Sequence, residues 1–282
     1  MNRQQILERE RRYAGYAGIT GILVAVFSIG SIAVVSQVSL PEGLPTDVYR
    51  GFDEHTTTIM ASSIMRALSL GLMAVPLVYV FRAAQARSER VNRLMLGFAV
   101  LPPAMLAIQS VLLYLGQSQL SSDFIADAAS GGDVYTMFQD LNDDNSLILG
   151  SSAIGQIGGL GLVVAMVYVA LQAMRTGLLT RFFATLGMAL AVASILLQLP
   201  LAPLGLWFGW LGLVILDRVP NGRPPAWSAG VAIPWPRPGD EPTEPAAELD
   251  IVEGDASEVF AEPVDHSGRR ERARKRKRKR RR

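Results

Sequence analysis

The chain of 282 residues is 50% hydrophobic and only 18% charged, carries a net charge of +2 and contains no cysteine. A soluble domain is about a quarter charged, so residues 13–216, where long apolar runs alternate with short charged blocks, are excluded as a conventional water-soluble enzyme. The missing cysteine excludes disulfide frameworks, Cys-ligated zinc, iron–sulfur clusters and thiol nucleophiles.

A hydrocarbon core about 30 Å thick is crossed by about 20 apolar residues of helix. Five runs have that character: Tyr16–Val35, Ser62–Phe81, Leu94–Leu115, Leu147–Met174 and Phe182–Leu199, with a shorter sixth at Pro203–Leu216. The expected fold is all-α: a six-span transmembrane helical bundle over 16–216, with a cytoplasmic N-terminus at 1–15 and a disordered cytoplasmic tail at 217–282. The sixth run reaches spanning length only with part of Leu199–Ala202, which puts a tight turn around Pro200 and Pro203. A re-entrant hairpin over Phe182–Leu216 is the alternative, and its irregular backbone would need protein or water around it. The basic start and Val34-Val35-Ser36 loosely resemble a signal peptide. The first run nevertheless exceeds the usual length of about 7–15 residues and more spans follow, so an uncleaved first span is the better reading.

Basic residues set the orientation. Arg3, Arg9, Arg11 and Arg12 precede span one, Arg82, Arg87, Arg90 and Arg93 follow span two, and Arg175 and Arg181 follow span four. The third loop, Gly116–Ser146, has six aspartates and no basic residue. With the tail included, 25 of the 27 Lys and Arg residues fall on one side, Arg50 and Arg66 being the exceptions. Both termini are therefore expected in the cytoplasm.

Helices in lipid associate where small residues let backbones approach. Ser151, Gly155 and Gly159 lie four apart in span four, and Gly205 and Gly209 repeat the spacing in span six. They predict packing seams inside the bundle; homo-oligomerisation through span four is the alternative. Pro76 in span two and Pro102-Pro103 in span three predict kinks.

Polar side chains within spans are the first place to look for function. At about 1.5 Å per residue, Arg66, Gln109, Gln156 and Gln198 lie roughly 6, 8, 13 and 6 Å in from the outer ends of four different spans. They define a candidate polar pocket open to the outside. Snorkelling of Arg66 and glutamine bonds between helices are the alternative.

Catalytic motifs are missing. With only His55 and His266 there is no histidine-pair metal motif, no lysine precedes Lys275 to serve a phosphate-binding loop, and G-x-S-x-G is absent. His55 near Asp53, Glu54 and Ser62 lacks any motif for an oxyanion hole. Asp140–Asn145 superficially resembles a calcium loop, but Asn145 and Ser151 stand where glycine and glutamate are required. The expected role there is local, with Asn145 or Ser146 capping span four. No cofactor and no metal are expected.

Eight of the 16 prolines fall between Pro220 and Pro245, a density that favours extended backbone. Trp227 and Trp235 are placed against the membrane surface or the helix ends. Residues 238–265 hold ten acidic and no basic residues, and 269–282 hold 12 basic ones. Segments this charged stay disordered. The near-neutral total is thus a cancellation between two tail blocks. Arg269, Arg270, Arg274, Lys275, Arg276, Lys277, Arg278, Lys279, Arg280, Arg281 and Arg282 are the candidate contacts to anionic lipids or an acidic partner. Specific nucleic-acid recognition is not expected without an accompanying fold.

The stretch Arg175–Gly187, with Gly222–Trp227 and Pro234-Trp235-Pro236, resembles a group of uncharacterised actinobacterial multi-span membrane proteins. The resemblance covers the C-terminal half of the membrane domain and the start of the tail. It implies a bacterial inner membrane and carries no known activity or functional residue. Together these features predict a membrane protein with a structural, regulatory or interaction role and no catalysis. The alternative is a small-solute permease or channel-like protein that uses the outer polar pocket.

Overall fold

The computed structural model describes residues 3–38, 45–128, 133–196, 201–220 and 222–236. Among these residues there are helices and turns and no strand. In chain order they are α1 (Arg3–Val35), α2 (Pro45–Glu54), α3 (Thr56–Leu72), α4 (Ala74–Arg87), a single 3-10 turn (Arg93–Met95), α5 (Leu96–Ala128), α6 (Val134–Asp144), α7 (Ser146–Arg175), α8 (Arg181–Leu196), α9 (Leu201–Ile215) and the one-turn α10 (Ala226–Ala229).

Four stretches are long and apolar enough to cross a membrane: Arg3–Val35, Thr56–Arg87, Arg93–Ala126 and Ser146–Arg175. Their 30–34 residues correspond to about 45–50 Å of helix, more than the hydrocarbon thickness of about 30 Å. The helices α8 and α9 are apolar but have only 16 and 15 residues. Gln198 and the rest of 197–200, where the sequence puts the turn between them, lie outside the described residues.

Neighbours form a ring in the order α9, α1, α3, α5, α7, α8, with α8 returning to α9. Because α4 touches α1, α5 and α7, the second half of the second long stretch fills the middle of one end. The packed core gathers there: Met73, Leu77, Val80 and Phe81 of this stretch are buried with Met166, Phe208 and Leu211.

Proline chemistry explains the break between α3 and α4. Pro76 has no N–H to give the Leu72 carbonyl, and at the break the Met73 N–H makes a tighter i→i−3 bond to Leu70 O at 3.3 Å. At Pro102-Pro103 the helix α5 runs on without interruption. There the Pro102 ring lies over Gly161 of α7, where a Cβ would come within 2.7 Å of Pro102 Cγ.

The seam between α1 and α9 depends on absent side chains. A Cβ on Gly21 would sit 2.8 Å from Phe208 O, and one on Gly209 would sit 2.8 Å from Ala25 Cβ. A Cβ on Gly205 would meet Ser28 Cβ at 2.5 Å. Between α1 and α3 the link is polar. Ser28 Oγ and Ser69 Oγ are 2.8 Å apart, Ser69 Oγ donates to Val24 O at 3.0 Å, and Ser62 Oγ donates to Ser31 O at 3.0 Å. Each hydroxyl is thereby satisfied where water is scarce.

The opposite end is closed by α2 and α6. The Tyr49 ring lies 5.4 Å from Phe124 and 5.7 Å from Phe138. Burial in this aromatic cluster pushes the Tyr49 phenol above its ordinary pKa. Asn145 caps α7 by accepting from Leu147 N at 3.1 Å and Ile148 N at 3.0 Å, and its Nδ2 donates to Gly116 O at 3.2 Å. Asp140, Asp143 and Asp144 belong to the helix α6.

Candidate functional site

The most elaborately bonded place in the described chain is the end of the bundle where α1 begins and α4 ends. Arg87 closes the last turn of α4, and its side chain has no exposed surface. It reaches Glu10 of α1 through both guanidinium nitrogens, Nη2 lying 2.9 Å from Oε2 and Nη1 closer still to Oε1. The same guanidinium donates to Ala226 O from Nε at 3.1 Å and from Nη2 at 3.0 Å, and Nη1 donates to Ala83 O at 2.9 Å. A bidentate Arg–carboxylate pair with its remaining donors used is the geometry in which a buried charge is tolerated.

Trp227 sits on this ion pair. The indole is 1% exposed, is stacked on Tyr79 at 5.7 Å between centroids, and donates from Nε1 to Leu178 O at 2.8 Å. The Arg87 and Arg223 guanidiniums lie 5.6 and 6.0 Å from its centroid, within cation–π range. Tyr79 Oη donates to Glu10 O at 3.2 Å, so α1, α4, the α7–α8 turn and α10 meet around one indole.

A second indole repeats the device. Trp235 Nε1 donates to Leu179 O at 2.8 Å, Ile233 N donates to Thr176 O at 3.1 Å, and Arg181 Nη2 donates to Trp235 O at 3.1 Å and to Pro236 O. Gly177 makes the approach feasible: its φ is +77°, and a Cβ there would run into the Ile233 carbonyl. The entry to this segment is a turn at Asp217, whose Oδ1 accepts from Arg223 N at 3.1 Å. At its far side Gly230, with φ +65°, lets the chain lie against Leu7 and Arg3 of α1.

This corrects the expectation that the chain is disordered from residue 217 onward. Residues 222–236 are irregular apart from α10, as their prolines require, but they are bound. The bonds come from two indoles and from backbone groups that proline leaves free, which composition alone does not reveal. Residues 237–282, including Arg269–Arg282, lie outside the described residues.

The candidate pocket residues are placed as follows. Arg66 is an exposed residue of α3, Gln156 an exposed residue of α7, and Gln109 a half-buried residue of α5. Gln109 packs across the helix seam, where a Cβ on Gly155 would lie 3.0 Å from its Cγ. No hydrogen bond joins Arg66, Gln109 and Gln156 to one another among the described residues. Of the packing residues, Gly155 faces α5, while Gly205 and Gly209 face α1. Ser151 and Gly159 are buried in α7, with Ser151 Oγ donating to Ile148 O at 2.8 Å. No group of three or more His, Asp or Glu side chains that could hold a metal ion occurs among the described residues.

Sequence reasoning missed the pairing of Glu10 with Arg87: it counted Arg87 only as a loop charge and did not weigh Glu10. The one available signal was Glu10 flanked by Arg9 and Arg11 just before the first apolar run, with Arg87 at the end of another apolar helix. Comparison with protein-family models, with curated proteins and with solved structures gives no match to this chain.

Proposed function

We propose that this chain is an integral protein of a bacterial inner membrane, with six spans and both termini in the cytoplasm. In this reading it acts without catalysis, as an interaction or regulatory component. Its docked segment 222–236 serves as a fixed base from which the acidic and basic tail blocks extend. The carrying observation is the Glu10–Arg87–Trp227 cluster, which ties the chain after α9 to the ends of α1 and α4. A basic block tethered to a membrane-embedded chain has a raised effective concentration at the membrane surface. Anionic lipid is the nearest polyanion to such a block.

Membrane placement is supported by the outward aliphatic surface. Ile19, Leu101, Ile157 and Leu160 are 55–63% exposed, a density of solvent-facing large side chains on apolar helices that water disfavours. Both ends of the α8–α9 pair adjoin the Arg87 end of the bundle: Arg181 bonds Trp235 O, and Asp217 bonds Arg223 beside Trp227. That arrangement supports an out-and-back path for α8 and α9, and the resemblance supports the bacterial address.

The cysteine-free chain allows a direct test. Single cysteines replacing Ser88, Ser130 and Gln198 are probed in intact cells with a membrane-impermeant maleimide. Ser130→Cys and Gln198→Cys are expected to label from outside, and Ser88→Cys only after lysis. Protection of Gln198→Cys would remove the fifth and sixth crossings, and labelling of Ser88→Cys in intact cells would invert the orientation. For the tail, a spin label at Ser267→Cys is expected to be slowed in nanodiscs of phosphatidylglycerol relative to phosphatidylcholine; equal spectra would remove the lipid role of the basic block.

A further inference from the structure

Beside the ion pair, between α1 and α4, lies a groove of about 170 Å³. A water takes about 30 Å³ of liquid volume, so the groove has room for several, the scale of a headgroup rather than of a single ion. Its walls include Arg9, Tyr13 and Tyr16 of α1 and Val75, Val78 and Arg82 of α4. The two helices run in opposite directions, which gives the groove a polarity. Arg9 and Arg82 share one level, and seven residues further along each helix stand Tyr16 and Val75, about 10 Å deeper at 1.5 Å per residue. One end is therefore cationic, the other is apolar, and tyrosine rings line the transition.

The charges at the cationic end are available. Glu10 also borders the groove, but its carboxylate is engaged by Arg87. Neither Arg9 nor Arg82 has a hydrogen bond or ion pair among the described residues. Tyr16, Tyr13 and Val75 stay 73, 52 and 39% exposed, so apolar surface is left open on the same strip as two unpaired arginines.

We propose that this groove binds one anionic glycerophospholipid. The phosphate and headgroup lie between Arg9 and Arg82, and the upper acyl carbons run along Tyr16, Val75 and Val78. Charge complementarity selects an anion, and the apolar end about 10 Å deeper selects one that carries a hydrocarbon chain. The site is separate from the basic tail block and rests on the membrane placement proposed above, but not on which side faces the cytoplasm.

The test is native mass spectrometry of the full-length protein in detergent, with phosphatidylglycerol and phosphatidylcholine added in equal amounts. Three changed chains are compared with the original: Arg9→Gln with Arg82→Gln, the control pair Arg90→Gln with Arg93→Gln, and a chain ending at Gly268. Thermal melting in detergent checks that each remains folded. The original chain is expected to retain one phosphatidylglycerol in preference by roughly 10- to 30-fold, as two arginines at a lipid surface imply. The Arg9/Arg82 variant loses that preference, the other two keep it, and excess inorganic phosphate does not displace the lipid. The proposal is overturned if the Arg9/Arg82 variant keeps the preference, if the control pair reduces it equally, or if phosphate alone competes. Retention of both lipids without discrimination overturns the groove but leaves the membrane reading intact. A chain that is monodisperse without detergent and retains neither lipid overturns both.

Discussion

Arg87 and Glu10, 77 residues apart in the chain, form a bidentate ion pair whose arginine side chain is fully buried beneath the indole of Trp227. Removing one partner would leave an unpaired and largely buried charge, a change that costs about 3–5 kcal/mol. Arg87→Ala and Glu10→Gln are therefore each expected to lower the melting temperature in detergent strongly. Arg87 has further bonds to Ala226 O and Ala83 O, so Arg87→Ala is expected to be the worse of the two. The double variant should be less destabilised than the sum of the singles, since its second change removes a charge already stranded. Strict additivity would mean that the pair is not coupled.

Trp227 is expected to be the anchor of segment 222–236. Trp227→Ala removes a buried aromatic side chain, a change worth about 3–5 kcal/mol, and should open segment 222–236 to a protease of broad specificity such as proteinase K. Trp227→Phe keeps the stacking on Tyr79 but loses the bond to Leu178 O, at about 1 kcal/mol. Limited proteolysis followed by mass spectrometry distinguishes the outcomes. Equal cleavage within 222–236 in the original chain and in Trp227→Ala would show that the indole does not hold the segment.

Gly21 is expected to tolerate no larger residue. A Cβ there would lie 2.8 Å from Phe208 O and 3.0 Å from Gly212 Cα, both backbone atoms that cannot rotate away. Gly21→Val forces α1 and α9 apart, and overpacking of this kind costs about 1–3 kcal/mol. Gly15 offers the control, because nothing lies within 4 Å of a Cβ at that position. Gly15→Ala should leave the melting temperature unchanged or raise it slightly through helix propensity.

At the opposite end, the Asp133 side chain caps α6, accepting from Thr136 Oγ1 at 2.6 Å and from Tyr135 N at 3.3 Å. The Thr136 hydroxyl, and then the Tyr135 amide, hold this carboxyl below its ordinary pKa. A lowered folded-state pKa gives stability that is present above the ordinary carboxylate value and is lost as the pH falls through the lowered one. Protection from amide exchange at the start of α6, taken relative to the intrinsic rate at each pH, should thus fall only under acid conditions. Asp133→Asn retains a capping oxygen and should remove that acid dependence, whereas Asp133→Ala should expose these amides at neutral pH as well.

The long helices were legible because their cause is local. A run such as Tyr16–Val35 or Leu147–Met174 states its own length and solvent, and Asn145 before an apolar run states a cap. Glycine spacing indicated that backbones would approach, but not which ones. Gly205 and Gly209 meet α1, and Gly155 meets α5, because helix order around the ring decides the partner. The lengths of α8 and α9 were less legible, since an apolar run continues through Leu199–Ala202 without saying where the helix stops.

Composition, charge asymmetry and hydrophobic length therefore determined by themselves that this is a helical chain with five apolar runs near spanning length and a shorter sixth, its basic residues concentrated in alternate connecting segments. Each of those properties is a sum over neighbouring residues, and needs no knowledge of what lies across the fold. The tertiary structure alone decided the rest. Arg87 became the partner of Glu10 rather than a loop charge, the proline-rich segment became a docked strap rather than free chain, and Arg9 and Arg82 came to share one groove. These are relations between residues far apart in sequence. They exist only because α1 and α4 pack antiparallel and bring groups separated by more than 70 residues within bonding distance, a constraint that no local pattern encodes.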